Sequence, residues 1–180
     1  MTNSKPAVGQ AFPKTTLSRL GGGKVELGIP VNGHDWQMVV IYRGKHCPIC
    51  TKYLKELEEI APELSRIGVD IVAASADPEE RARAQAGDAG VSFPVGTDLS
   101  VRDMRKLGLY VSDPRSPEET DRPFAEPGLY VVNDEGKLQV VDISNAPFAR
   151  PALSSILMGL NFIKNPANNY PVRGMHHDSA

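Results

Sequence analysis

The feature that most constrains this chain is a junction. Residues Trp36 to Tyr42 (WQMVVIY) form a bulky, β-rich run of the kind found in a sheet covered on both faces. The segment Arg43-Gly44-Lys45-His46-Cys47-Pro48 breaks that run. Ile49, Tyr53, Leu54, Leu57, Ile60, Ala61, Leu64 and Ile67 then recur at helical spacing up to Gly68, a helix stop. Both of the chain's two cysteines, Cys47 and Cys50, therefore fall where a strand becomes a helix. Pro62, in mid-helix, should kink or break that helix.

The pattern then alternates. Val69 to Ala74 (VDIVAA) reads as a second buried strand. Asp77-Pro78-Glu79-Glu80 supplies an N-cap, a proline at the first helical position and acids in the first turn of a helix reaching about Ala86. Strand, helix, strand, helix implies a right-handed βαβ unit with parallel strands, so the class is α/β. Ser100 to Leu107 reads as a short helix. Val111 to Pro127 carries several prolines and acids and reads as a long loop, a kind of segment that is often functional. Leu129 to Val132 and Leu138 to Ile143 flank Asn133-Asp134-Glu135-Gly136, which predicts an antiparallel hairpin. A last helix starts at Pro151, with Leu153, Ile156, Leu157, Leu160 and Ile163 on one stripe, and the polar tail of residues 165–180 reads as extended. Near the start, Phe12 to Leu27 reads as a short strand pair around Gly21-Gly22-Gly23.

A length of 180 residues suits one domain spanning 1–180, with room for a real core. The net charge of −2 offers no reason to expect nucleic acid or an anionic membrane as partner. The first residues lack the apolar stretch of a secretory signal, and apolar runs such as Met38 to Ile41 are far too short to cross a bilayer, so a cytoplasmic protein is expected.

Two cysteines three positions apart would constrain little of the unfolded chain as a staple, so their placement points to chemistry or metal. A thiol reacts as its thiolate, and a reactive cysteine needs surroundings that lower its pKa below the free value of ~8.5. At the first turn of a helix, unpaired N–H groups and the dipole favour an anion at Cys47, and Arg43, Lys45 and His46 stand just before it. The spacing makes Cys47 the exposed, attacking sulfur and Cys50, one turn deeper, the one that closes a disulfide with it. Pro48 suits the helix start, where its missing N–H would have had no partner. His46 is read as solvent-facing, with a role in tuning the thiolate weighed against a plain surface role. A zinc site is the rival reading, but no further cysteine exists and the paired His176 and His177 sit in the tail.

The motif VVIYRGKHCPIC, together with VGQAFP near the start, IVAASADPEE, FPVGTD at Phe93 to Asp98 and PGLYVVNDEGKL from Pro127, resembles the thioredoxin-like superfamily, specifically its AhpC/TSA (peroxiredoxin-like) branch. The likeness covers roughly residues 7 to 163. The resemblance implies a thioredoxin fold: a central mixed sheet flanked by helices, here with an N-terminal β extension. It also implies a cis-proline opposite the cysteines, and Pro127, through Glu126-Pro127, is the candidate. The implied activity is peroxide reduction through a Cys47 sulfenic acid resolved by Cys50, without a bound cofactor. An external thiol such as thioredoxin or glutathione would be the reductant, and the protein would be a homodimer.

Two departures from that family matter. Its pattern has a threonine or serine three residues before the attacking cysteine, where this chain has Gly44, and an arginine before the late strand, where it has Pro127. Arg43 or Arg122 is the candidate replacement for that charge, and Arg122 and Glu126, flanking Pro127, are expected close enough to the sulfur to influence it. Dithiol-disulfide exchange is the alternative that these departures favour. A binding module or zinc-holding protein on the same scaffold is the second alternative.

Overall fold

The computed structural model describes residues 5–176. Its elements follow the order β1 (Thr15–Arg19), β2 (Lys24–Leu27), β3 (Trp36–Ile41), α1 (Pro48–Arg66), β4 (Val69–Ala74), α2 (Glu79–Ala89), β5 (Val95–Thr97), α3 (Val101–Lys106), β6 (Val111–Ser112), β7 (Phe124–Ala125), β8 (Gly128–Val132), β9 (Leu138–Ile143) and α4 (Leu153–Lys164). Seven strands form one mixed sheet in the order β2-β1-β5-β4-β3-β8-β9. β3 runs parallel to β4, and β4 to β5, as a βαβ chain requires, while β8, β9, β1 and β2 add antiparallel flanks. This is the expected central mixed sheet, and the β1–β2 hairpin is the expected N-terminal extension.

The pleat sorts side chains into two cores. Met38 and Val40 of β3, Ile71 and Ala73 of β4, and Leu129 and Val131 of β8 face α1 and α4, in the same cluster as Cys47, Cys50, Tyr53, Leu57 and Leu160. Val39 and Ile41, Val72 and Ala74, and Tyr130 face the other way, onto Met104, Leu107, Leu109 and Phe124. Central strands covered on both faces are apolar at nearly every position, which is why they read as continuous hydrophobic runs. Truncating a fully buried residue such as Leu57 to alanine should cost about 2–5 kcal/mol.

Three local expectations change. Helix α1 carries through Pro62 rather than breaking there. Pro62 is exposed, so the carbonyl it leaves unbonded can be hydrated, and Leu57 and Leu64 hold the opposite face. Asp77 does not cap α2; Pro78 takes the cap position, and the buried Asp77 carboxylate is used elsewhere. The long loop pairs with itself, Val111 with Ala125 and Ser112 with Phe124. The hairpin turn is as read: Asn133 Oδ1 accepts from the N–H groups of Glu135 at 3.1 Å and Lys137 at 3.0 Å. After α4 the chain makes a 3-10 turn at Pro166–Asn168. Residues 177–180 of the tail, His177 among them, lie outside the described residues, as do residues 1–4. No helix among the described residues is long and apolar enough to cross a membrane.

Candidate active site

Cys47 is the N-cap of α1, with extended backbone, and its carbonyl accepts from the N–H groups of Cys50 at 3.0 Å and Thr51 at 3.2 Å. The helix therefore begins at the reactive residue itself. Both thiols are free and buried. Cys50 was expected to be shielded and is 0 % exposed, but Cys47, expected to be exposed, is only 3 % exposed. The preceding segment turns back on the helix, with the Cys47 N–H bonded to the Gly44 carbonyl at 3.1 Å; between the two cysteines, Pro48 and Ile49 remain at the surface.

The Cys47 thiol is pushed well below the ordinary cysteine range, first by a hydrogen bond from the Cys50 thiol, then by the Cys50 backbone N–H and by Arg43 and Arg150, against the opposing effect of burial. Cys50 moves the other way, raised first by its hydrogen bond to Cys47 and then by burial. One sulfur is thus favoured as the thiolate and the other as its thiol donor, the same polarity that their positions along the helix suggest.

The turn before Cys47 leaves no room for a side chain at position 44. Gly44 has φ of +130°, and a Cβ there would stand 2.7–2.9 Å from the Asp77 carboxylate. That carboxylate, 2 % exposed, accepts from the Lys45 N–H at 2.7 Å. Gln85 of α2 ties the turn to α1, donating through Nε2 to the Gly44 carbonyl and to Thr51 Oγ1, each at 3.0 Å. The hydroxyl that the family pattern would carry at position 44 is thus replaced in space by an acid from beyond the end of the next strand.

Two arginines flank the cysteines. Arg43 lies with its guanidinium 4.7 Å over the Phe124 ring, and its Nε is 3.4 Å from Glu126 Oε2. Glu126 is 4 % exposed and accepts from the Ser112 hydroxyl at 2.7 Å. On the other side, Arg150 Nη2 is 3.5 Å from Cys50 Sγ. Its guanidinium sits 4.2 Å over the Tyr53 ring, and its Nε donates to the Pro147 carbonyl at 3.0 Å. Tyr53 in turn donates to the Pro151 carbonyl at 3.0 Å, and burial pushes its phenol up to about 12.

The sequence-derived site residues divide accordingly. Cys47, Cys50, Pro48 and Arg43 come together, and Glu126 reaches the site through Arg43. Arg122 does not. It turns toward Asp121 at 2.9 Å, Asp98 at 3.5 Å and the Ala76 carbonyl at 3.4 Å, because two carboxylates and a carbonyl on that side of the loop outcompete the burial needed to reach the sulfur. His46 is not solvent-facing. Its ring packs 4.5 Å from that of Phe124, both nitrogens are buried without a hydrogen-bond partner, and burial and then Arg43 lower its pKa, which disfavours a positive charge beside Cys47.

No described peptide bond is cis, and Glu126-Pro127 is therefore trans. The Glu126 N–H bonds the Tyr110 carbonyl at 2.9 Å and the Pro127 carbonyl accepts from the Ser144 N–H at 3.0 Å. The chain thus passes extended from β7 into β8, a path that a trans bond continues. Arg150, Asp77, Gln85 and Tyr53 were not foreseen as site residues. Arg150 lies 100 positions from Cys50, and its only local signal is a lone basic residue just before the last helix.

Comparison with known proteins bears on the family and the fold. The AhpC/TSA family model matches residues 8–141. Among solved structures, a cysteine-to-serine mutant of peroxiredoxin 6 of Arenicola marina superposes with a TM-score of 0.73 at 20% identity, covering 89% of this chain and 74% of that one. AhpC of Mycobacterium bovis superposes with a TM-score of 0.72 at 14% identity, covering 97% and 99%. Peroxidoxin BcpB of Mycobacterium tuberculosis gives 0.70 at 17% identity, covering 87% and 97%. No curated protein matches the sequence. With the family model spanning most of the chain and the cysteine pair seated on the thioredoxin-type strand-helix junction, the chain belongs to the AhpC/TSA family, the peroxiredoxin-like group of thiol peroxidases.

Proposed function

We propose that the protein reduces peroxides with Cys47 as nucleophile and Cys50 as resolving thiol. The Cys47 thiolate attacks one peroxide oxygen and the O–O bond breaks, leaving a sulfenic acid and, after uptake of a proton, an alcohol or water. Cys50 then gives up its proton and displaces the sulfenic hydroxyl as a thiolate. An S–S bond forms, the S–O bond breaks, and the thiol's proton leaves with the hydroxide as water. Two electrons from an external thiol, of the thioredoxin or glutathione kind, reopen the disulfide. The observation that carries this reading is the pairing of the two sulfurs at the mouth of α1, with Cys47 favoured as thiolate and Cys50 as the thiol facing it. A homodimer fits the same reading, since among the described residues β2, and β9 beyond Leu138, end the seven-stranded sheet without a further strand.

Stopped-flow oxidation of the reduced protein by hydrogen peroxide, set against a model disulfide, tests the proposal. Peroxide should react much faster, Cys47→Ser should not react, and Cys50→Ser should accumulate the sulfenic acid. Full activity in Cys47→Ser would falsify it. A second reading, dithiol-disulfide exchange by the same nucleophile, draws on Gly44, which bars the family's hydroxyl; faster reaction with the disulfide is its signature. A metal-holding role has less support, because among the described residues no group of three or more histidine, cysteine or acidic side chains could hold an ion.

A further inference from the structure

The two steps proposed above need opposite charge states of Cys50. While peroxide reacts, Cys50 must be the thiol that donates to the Cys47 thiolate; when the sulfenic acid is resolved, it must attack as a thiolate itself. A buried sulfur with no polar surroundings resists that ionisation. The surroundings here are unequal in a way that suits the change.

Arg43 is committed: Glu126 lies 3.4 Å from its Nε, and Phe124 covers its face. Arg150 carries no such partner. None of the salt bridges among the described residues includes it, and its Nη1 is buried with no hydrogen-bond acceptor. Its position is held by neutral groups only, the Tyr53 ring and the Pro147 carbonyl, while Nη2 is aimed at Cys50 Sγ at 3.5 Å. An arginine immobilised over an aromatic face, unpaired and pointing at one of two sulfurs, is a donor kept for a charge that appears during the reaction.

We infer that Arg150 is a catalytic residue of the resolving step, stabilising the Cys50 thiolate as it attacks oxidised Cys47. The inference rests on the sulfenic-acid reading of Cys47. While Cys47 is ionised, its charge opposes a second thiolate beside it. Oxidation removes that charge, and Cys50 is left facing the Arg150 guanidinium and the backbone N–H of Arg43. The other titratable or charged groups around it are Tyr42 at the end of β3, whose phenol is raised by burial and near which Asp77 lies, Tyr53 on α1, and Asp142 of β9 and Glu56 of α1 near Tyr53. None of them is a cation, so Arg150 alone supplies positive side-chain charge from outside the cysteine loop.

A single-turnover experiment separates the steps. Reduced full-length protein receives one equivalent of hydrogen peroxide, samples are quenched by alkylation over time, and mass spectrometry counts thiol, sulfenic acid and disulfide. In Arg150→Gln and in the apolar Arg150→Met, disulfide closure should slow about tenfold or more at pH 7, its pH midpoint should move up by about one unit, and sulfenic acid should accumulate transiently. The first step should change less, and Arg150→Lys should recover part of the closure rate. Closure at the wild-type rate with an unmoved midpoint in either charge-removing variant that folds overturns the inference, as does equal slowing of both steps. If Cys50→Ser never yields sulfenic acid under peroxide, the peroxidase reading fails instead, a result distinct from either of these.

Discussion

The two flanks of the cysteine pair are built on different principles. The Arg43 flank is cross-linked and charge-paired: Glu126 faces the arginine, the Asp77 carboxylate holds the Lys45 N–H at 2.7 Å, and Gln85 binds the Gly44 carbonyl. The Arg150 flank is spare, an arginine with no acid, supported by a ring and a carbonyl. Cross-links from several elements fix geometry, because the acid and the amide each tie one segment to another. An uncommitted cation fixes less but keeps its full field for the sulfur beside it. One side therefore shapes the resting thiolate while the other remains free to answer a change of charge.

The largest effect that would break this contrast is expected at Gly44. Restoring the family's hydroxyl as Gly44→Thr forces a side chain into positive φ and against Asp77, and should cost about 2–3 kcal/mol in chemical denaturation without raising the peroxide rate. A stable, faster Gly44→Thr protein would show that the turn is looser than its contacts suggest. Next, Arg43→Gln should raise the pH midpoint of Cys47 alkylation and lower the rate below that midpoint by about tenfold per unit moved, because a cation that favours the thiolate is gone. Equal midpoints in wild type and variant would remove Arg43 from the account.

Tyr53→Phe keeps the ring under Arg150 but loses the bond to the Pro151 carbonyl, and should cost about 1 kcal/mol with disulfide closure nearly unchanged. A large loss of closure rate would mean that the hydroxyl, not the ring, holds the guanidinium. The smallest expected effect concerns His46. Its folded-state pKa lies below the ordinary value of ~6.5, so its contribution is intact above that pH and is lost as pH falls below it, where the unfolded chain takes up the proton more readily. His46→Phe should flatten this acid limb in denaturant titrations as pH falls below about 6.5, and an unchanged slope would count against a neutral, half-buried ring.

Local and periodic features were legible in the residues alone. The apolar run Trp36 to Tyr42, the helical stripe from Ile49 to Ile67, the Asn133 to Gly136 turn and the placement of both cysteines at a strand-helix junction each depend on residues within a few positions, where backbone preference and burial patterns act directly. The expected order of the pair, Cys47 ionising before Cys50, was read from the helix end at position 47, whereas in the folded chain the first influence in that direction is the hydrogen bond from the Cys50 thiol. Charge pairing and shielding came from the folded chain instead. Folding set Arg150 against Cys50 across 100 positions, turned Asp77 from a helix cap into the filler of the Gly44 turn, drew Arg122 away to Asp98 and Asp121, buried His46 on Phe124, covered Cys47, and carried Glu126-Pro127 through as a trans bond. Coulombic and desolvation effects depend on which distant segments converge, and that convergence has no signature in any window of the chain.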